Sequence, residues 1–166
     1  VGSEMCIRDR VMGPAFGSFA AVLAQSDEDK ARLESLGAKD VLVTGSVKFD
    51  IVPDASQMAA AKAWLTVLSR PVVLLASTRD GEEAAFLESF KKHPALLAET
   101  LVVVVPRHPE RFERVVELFE SAGLKTIRRS TLSTAEDLPA DIQIVVGDSM
   151  GEMSFYCGLA SMTVMG

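Results

Sequence analysis

Leu101-Val-Val-Val-Val105 is the run that most narrows what this chain can fold into. Its five residues are all apolar, four are β-branched, and no polar residue alternates with them. A strand with one solvated face would alternate, so this one is expected to be covered on both faces, as in a parallel sheet. Pro106 then removes a backbone donor and closes the strand. Val72-Val-Leu-Leu-Ala76 and Ile142-Gln-Ile-Val-Val146 read as two more buried strands. Val41-Leu-Val43, Lys125-Thr-Ile127 and Phe19–Ala24 are shorter candidates, and Met162-Thr-Val-Met-Gly166 reads as a last strand and a glycine.

Helical patterns separate these runs. Phe112, Val115, Val116 and Phe119 stand at i, i+3, i+4 and i+7, a core-facing stripe, and Ala122-Gly123 ends it. Phe86, Leu87 and Phe90 mark the helix after Ser77-Thr78. Ser26 is the expected N-cap of a helix to Leu36, with Asp29 at the capping-box position and Gly37 at C′. Pro53-Asp54 opens an alanine-rich helix with Met58, Ala61, Trp64, Leu65 and Leu68 as its apolar set, and Ser69-Arg70-Pro71 closes it. A final helix carries Phe155 and Leu159. Arg128–Ala140 reads as a polar loop. Strands and helices alternating at this spacing define an α/β fold: a Rossmann-like parallel sheet with helices on both faces. The polar stretch Asp50–Ser56 is the expected linker, dividing residues 1–50 from 51–166.

In such open sheets ligands bind beyond the carboxyl ends of the strands, and three consecutive strand-to-helix turns there carry suggestive chemistry. Ser77-Thr78 precedes an acidic helix start. Small hydroxyls and free N–H groups suit an oxyanion, or Ser77 is simply part of a cap, with Glu82 and Glu83 complementing the helix dipole. At Pro106-Arg107-His108, Arg107 offers a bidentate clamp for phosphate or carboxylate. His108 could donate to the same anion or shuttle a proton; both are equally readable as solvated turn charges, with Glu110-Arg111 starting the helix. In Gly147-Asp148-Ser149-Met150-Gly151-Glu152-Met153 the glycines allow close backbone approach or positive φ. Glu152 could accept from a ribose hydroxyl or a base amine, or serve the helix dipole. Lys48, after a strand-terminal Thr44-Gly45 and before the linker, is either an exposed lysine or a cation at a cleft.

Other classes are set aside on composition. A net charge of −6 over 166 residues argues against wholesale nucleic-acid binding or a basic membrane face. Cys6 and Cys157 are too few for a disulfide framework or a zinc site. Neither a Walker pattern nor a Gly-x-Gly-x-x-Gly fingerprint occurs. No run reaches the about 18 apolar residues of a membrane span.

Five segments, in order, together resemble one family: Ala24–Asp29, Val43–Asp50, Ala76-Ser77-Thr78 with Gly81-Glu82-Glu83, Val105–Phe112, and Gly147–Met153. They are similar to the lipopolysaccharide Kdo transferases (3-deoxy-D-manno-octulosonic acid transferases), inverting glycosyltransferases of two-domain GT-B fold. The resemblance covers residues 19–166. It implies transfer of Kdo from CMP-Kdo to a lipid A precursor, with no metal or other cofactor, at the cytoplasmic face of the bacterial inner membrane. It also implies that Pro106 and Arg107 contact CMP, that Gly151, Glu152 and Met153 form a second CMP-contacting segment, and that Lys48 stabilises the transition state; Ser77 is a further candidate. Arg79 stands where the family usually has histidine, and Ser149 where it often has threonine.

On this reading the chain is a fragment: residues 1–50 would be the tail of the acceptor domain, with 1–10 possibly non-native, and 51–166 an incomplete CMP-sugar-binding domain. The family's general-base carboxylate and membrane-associating segment would lie upstream, and its Gly-Gly-His-Asn-x-x-Glu segment downstream. The fragment alone is then expected to be inactive, binding CMP weakly at best. The alternatives are a GT-B enzyme using another sugar nucleotide and a non-catalytic flavodoxin-like domain, which would need an acidic cluster at its strand ends with a phosphorylatable Asp such as Asp148.

Overall fold

The computed structural model describes residues 12–166; residues 1–10, read above as possible junction sequence, lie outside the described residues. The chain divides into two compact units, Val1–Val52 and Pro53–Gly166.

In the first unit a short helix α1 (Gly13–Gly17) precedes β1 (Val22–Ala24), α2 (Asp27–Ser35) and β2 (Val41–Val43), and the two strands pair in parallel. Ser26 caps α2: its hydroxyl accepts from the Asp29 N–H at 3.2 Å and donates to the Asp29 carboxylate at 3.0 Å. Gly37 follows with φ 94°, a left-handed stop that a Cβ would strain. The strand expected over 19–24 is half that long, with Phe19 outside it and exposed. Ala24, Ala38 and Val41 form the small core. Lys48 lies in a 3₁₀ turn, Val47–Asp50, its backbone N–H donating to the Ser46 hydroxyl.

The second unit holds α3 (Ala55–Val67), β3 (Val72–Thr78), α4 (Glu82–Lys92), α5 (Pro94–Glu99), β4 (Leu101–Pro106), α6 (Phe112–Ser121), β5 (Thr126–Arg128), β6 (Ile144–Val146), α7 (Met153–Leu159) and β7 (Met162–Met165). All five strands are parallel, in the order β5-β6-β4-β3-β7. β4 is the central strand, and every one of its residues is buried. Its side chains alternate between two cores, as the period of a pleat demands. Leu101, Val103 and Val105 meet Trp64, Phe155 and Tyr156 from α3 and α7. Val102 and Val104 meet Leu87, Phe90, Val116 and Phe119 from α4 and α6. Unbroken Val/Leu runs therefore arise because both faces are covered.

Three local expectations change. Of the α3 apolar set, Ala61 and Trp64 are buried while Met58 and Leu65 are more than 40% exposed; the helix has one narrow contact line against α7, not a broad stripe. β6 begins at Ile144 rather than Ile142. The stretch 128–140 is not a simple polar loop. It folds into two 3₁₀ turns, Arg129–Thr131 and Ala135–Asp137, and buries Leu132 and Ala135 under the sheet.

Candidate functional site

The second unit opens a cleft of about 400 Å³ at the carboxyl ends of β3, β4 and β6, lined by Ser77, Val105–His108, Ser149–Met153 and Tyr156. The three turns singled out in the sequence thus converge on one place. Lys48 belongs to the other unit, exposed on its 3₁₀ turn.

The first wall is the end of β3. Pairing with β4 slips by one residue between Ala76 and Thr78, and the extra residue, Ser77, takes φ 56°. A serine in the left-handed region is held there against its own preference. The restraint is visible behind it. The buried Thr78 hydroxyl donates to Glu83, a residue only 1% exposed, and Arg111 donates to Glu83 from Nη2 at 2.7 Å and to the Thr78 carbonyl from Nη1 at 2.8 Å. The same carbonyl accepts from the Arg107 N–H at 3.0 Å. Glu83 and Arg111, expected to serve helix starts, are instead a buried pair that fixes the backbone of both turns. Glu82 acts locally, accepting from the Arg79 N–H at 2.8 Å.

Arg107 and His108 follow β4 and are exposed. The Arg107 guanidinium has no ion-pair partner among the described residues, whereas Arg111 and Arg129 are both committed to carboxylates. A free guanidinium at the rim of a cleft, on a backbone fixed by buried pairs, is a ready clamp for phosphate or carboxylate.

The opposite wall is the turn after β6. Its two glycines act differently. Gly151 has φ 83° with open space around it, so it supplies conformation. A Cβ on Gly147 would lie 2.8 Å from Val105 and 2.9 Å from the Tyr156 ring, so it supplies room for packing. α3 holds this turn from outside: Gln57 donates to the Gly151 carbonyl at 2.8 Å and accepts from the Phe155 N–H at 3.2 Å, and the Ser154 hydroxyl accepts from the Asp54 N–H at 3.2 Å.

Glu152 is the charged group of this wall. One carboxylate oxygen pairs with Arg129 Nη2 at 3.3 Å; the other accepts from the Ser149 hydroxyl and from the Tyr156 hydroxyl at 3.3 Å. Ser149 and Tyr156 hydroxyls are themselves 2.8 Å apart. Burial pushes the Tyr156 phenol far above its ordinary value; the Ser149 hydrogen bond opposes that, and the Glu152 charge reinforces it. Tyr156 therefore stays a neutral donor and acceptor.

Arg129 was missed in the sequence because it lies in the stretch that reads as polar loop. Its planar group rests 5.0 Å from the Trp64 ring and 4.8 Å from the Phe155 ring, and donates to the Leu132 carbonyl at 2.6 Å. The signal that would have found it is the pair Leu132 and Ala135, two apolar residues too regularly set for a solvated loop. Asp148, between β6 and the glycine turn, accepts from the Ser130 N–H at 2.8 Å and hydroxyl at 2.6 Å, tying the two segments together.

The chemistry of the cleft is polarised. Its lining holds both Arg107, without an ion-pair partner among the described residues, and Glu152, paired with Arg129, while Val105, Met150 and Met153 contribute apolar surface. An anion fits at Arg107 and a hydroxyl- or amine-bearing group at Glu152. Among the described residues no three His, Cys, Asp or Glu side chains gather as metal ligands would, and no helix is long and apolar enough to cross a membrane.

Known proteins show the same arrangement of sequence. Residues 4–51 match the family model described as 3-deoxy-D-manno-octulosonic-acid transferase (kdotransferase). The 3-deoxy-D-manno-octulosonic acid transferase of Bordetella pertussis is 41% identical over 155 residues, which are 92% of this chain and 36% of that protein. The Haemophilus influenzae enzyme of the same name is 33% identical over 159 residues, again 36% of its length. Among solved structures, the C-terminal CMP-Kdo binding domain of WaaA from Acinetobacter baumannii superposes with a TM-score of 0.58 at 33% identity, covering 66% of this chain and 57% of that one. The α/β sheet is accordingly of the GT-B, Rossmann-like kind. The chain spans little more than a third of the length of these curated relatives. With a family model on residues 4–51, a 41% identical relative along 92% of its length and a solved domain of the same fold, the chain is similar to the Kdo transferases over most of its length.

Proposed function

We propose that the second unit is a donor-nucleotide domain that binds CMP-Kdo, and that the whole protein transfers Kdo to a lipid A precursor in lipopolysaccharide synthesis at the cytoplasmic face of the inner membrane. The observation that carries this is the cleft's lining at the ends of three parallel strands, where Arg107, without an ion-pair partner among the described residues, and Glu152 accompany apolar surface. CMP divides in the same way. Its phosphate seats on Arg107, with Pro106 and Ser77 at its edge, and its nucleoside lies along Gly151-Glu152-Met153, where Glu152 accepts from a ribose hydroxyl or the cytosine amine. The support for cytidine in particular is the structural neighbour named for CMP-Kdo binding.

In the reaction, an acceptor hydroxyl gives its proton to a general base and attacks the anomeric carbon of Kdo while the bond to the CMP phosphate oxygen breaks, and CMP leaves with the electron pair. Charge grows on that phosphate, and the reading requires no metal to offset it: Arg107 holds the phosphate, and Lys48 is assigned the stabilisation of the transition state. The role of Lys48 rests on the family resemblance.

Calorimetric titration of the chain with CMP, UMP, UDP and ADP tests the donor assignment. CMP is expected to bind best, and Arg107→Ala to weaken it about tenfold to a hundredfold, the worth of a charge-assisted hydrogen bond. Preference for UDP or ADP would overturn the CMP-Kdo reading.

A further inference from the structure

We propose that Arg129 is a positioning residue for the donor: from behind the cleft wall it cancels the charge of Glu152 and fixes that carboxylate's direction, so that the wall can take a nucleoside whose phosphate is anionic. This rests on the donor reading above.

Arg129 does not line the cleft, so it acts through the residue that does. Its placement is over-determined. Trp64 and Phe155 flank the guanidinium, the Leu132 carbonyl takes Nη1, and the adjacent Ser130 is clamped by Asp148. Nη2 is thereby left pointing at one Glu152 oxygen, while Ser149 and Tyr156 hold the other. A carboxylate held at both oxygens has one direction left in which to accept, and a substrate donor must come from there.

Packing alone does not explain an arginine here. Its Nε is buried with no hydrogen-bond partner, which a methionine would fill without leaving a polar atom unsatisfied. What the guanidinium adds is charge. Without it, Glu152 would present a full negative charge to a cleft that must admit a phosphate, in a partly buried place where screening is weak.

The test is a double-variant cycle on the chain, read by CMP affinity and by melting temperature. Arg129→Met keeps an apolar side chain against both rings and removes the charge; it should weaken CMP about tenfold or more, with a lower melting temperature because Glu152 loses its partner. Arg129→Lys keeps the charge but loses the stacked fork, so its loss should be smaller than that of Arg129→Met without reaching the parent's affinity. Adding Glu152→Gln to Arg129→Met should cost less than the same change costs in the parent, because the charge left uncancelled goes with it. Unchanged affinity in Arg129→Met, losses that simply add in the double variant, or a loss in Arg129→Lys as large as in Arg129→Met would each overturn the proposal while leaving the donor reading intact. If Arg129→Met fails to melt cooperatively, Arg129→Gln takes its place on the same criteria. A full-length transferase that binds no CMP defeats the donor reading, and this proposal falls with it.

Discussion

Tyr156 shows how much a single residue is asked to do in this cleft. Its ring is 1% exposed and packs edge-on against Phe155 at 5.6 Å, while its hydroxyl joins Ser149 and Glu152. Because the folded state holds the phenol proton more tightly than the unfolded chain, where it titrates near 10.0, the folded state carries more protons above that pH. Stability is thus fully present below about pH 10 and is lost as pH rises further, by up to about 1.4 kcal/mol per pH unit. Urea midpoints measured at about pH 9 and about pH 11 should fall more for the parent chain than for Tyr156→Phe; parallel falls would show that the phenol is not the group responsible. Cys157, whose thiol burial also raises, titrates alike in both proteins and drops out of the difference. Gly147 belongs to the same contact. Alanine there would meet Val105 and Tyr156 at under 3 Å, so Gly147→Ala should cost about 1–3 kcal/mol by overpacking, and lower CMP affinity by shifting Tyr156, both measurable on one sample.

At the scale of elements, the turns after β3 and β4 are held by the Thr78–Glu83–Arg111 network rather than by their own sequences. Glu83→Gln should cost about 3 kcal/mol in urea unfolding, since it leaves a mostly buried guanidinium with the exposed Asp80, 3.6 Å away, as its remaining acid. The double replacement Glu83→Leu with Arg111→Met should recover most of that loss, because apolar side chains of similar volume carry no desolvation cost. A double variant no more stable than Glu83→Gln would mean the network is not a charge problem at all. The same elements mark how far the sequence could be read. The parallel sheet was legible because β-branched runs covered on both faces have no other common use, and α6 because Phe112, Val115, Val116 and Phe119 keep helical period. The Glu83–Arg111 pair was not, since one acid and one base 28 residues apart look like two ordinary helix starts. Nor was the wall behind Glu152: Arg129 gains its meaning from Trp64 and Phe155, which sit on other elements and meet only in the folded unit.

At the scale of the molecule, every residue lining the cleft lies in the second unit, as do Trp64, Arg129 and the Glu83–Arg111 pair behind it. Its two cores, one on each face of the five-stranded sheet, are built wholly from residues beyond Pro53. Nucleotide binding and chemistry should therefore be separable. A chain of residues 53–166 should bind CMP within about twofold of the 166-residue chain, since neither the cleft nor its supports are touched. Lys48, in the other unit, is proposed to act in the transition state and not in donor binding. Lys48→Ala should then leave CMP affinity unchanged, while in a full-length transferase carrying the same substitution kcat should fall about a hundredfold with KM for the donor little altered. The two measurements divide the roles of the cations. Arg107→Ala is expected to act mainly on donor binding and Lys48→Ala mainly on turnover; a Lys48→Ala enzyme whose donor KM rises in step with any loss of kcat/KM would place that lysine in ground-state binding, and leave the leaving phosphate to Arg107.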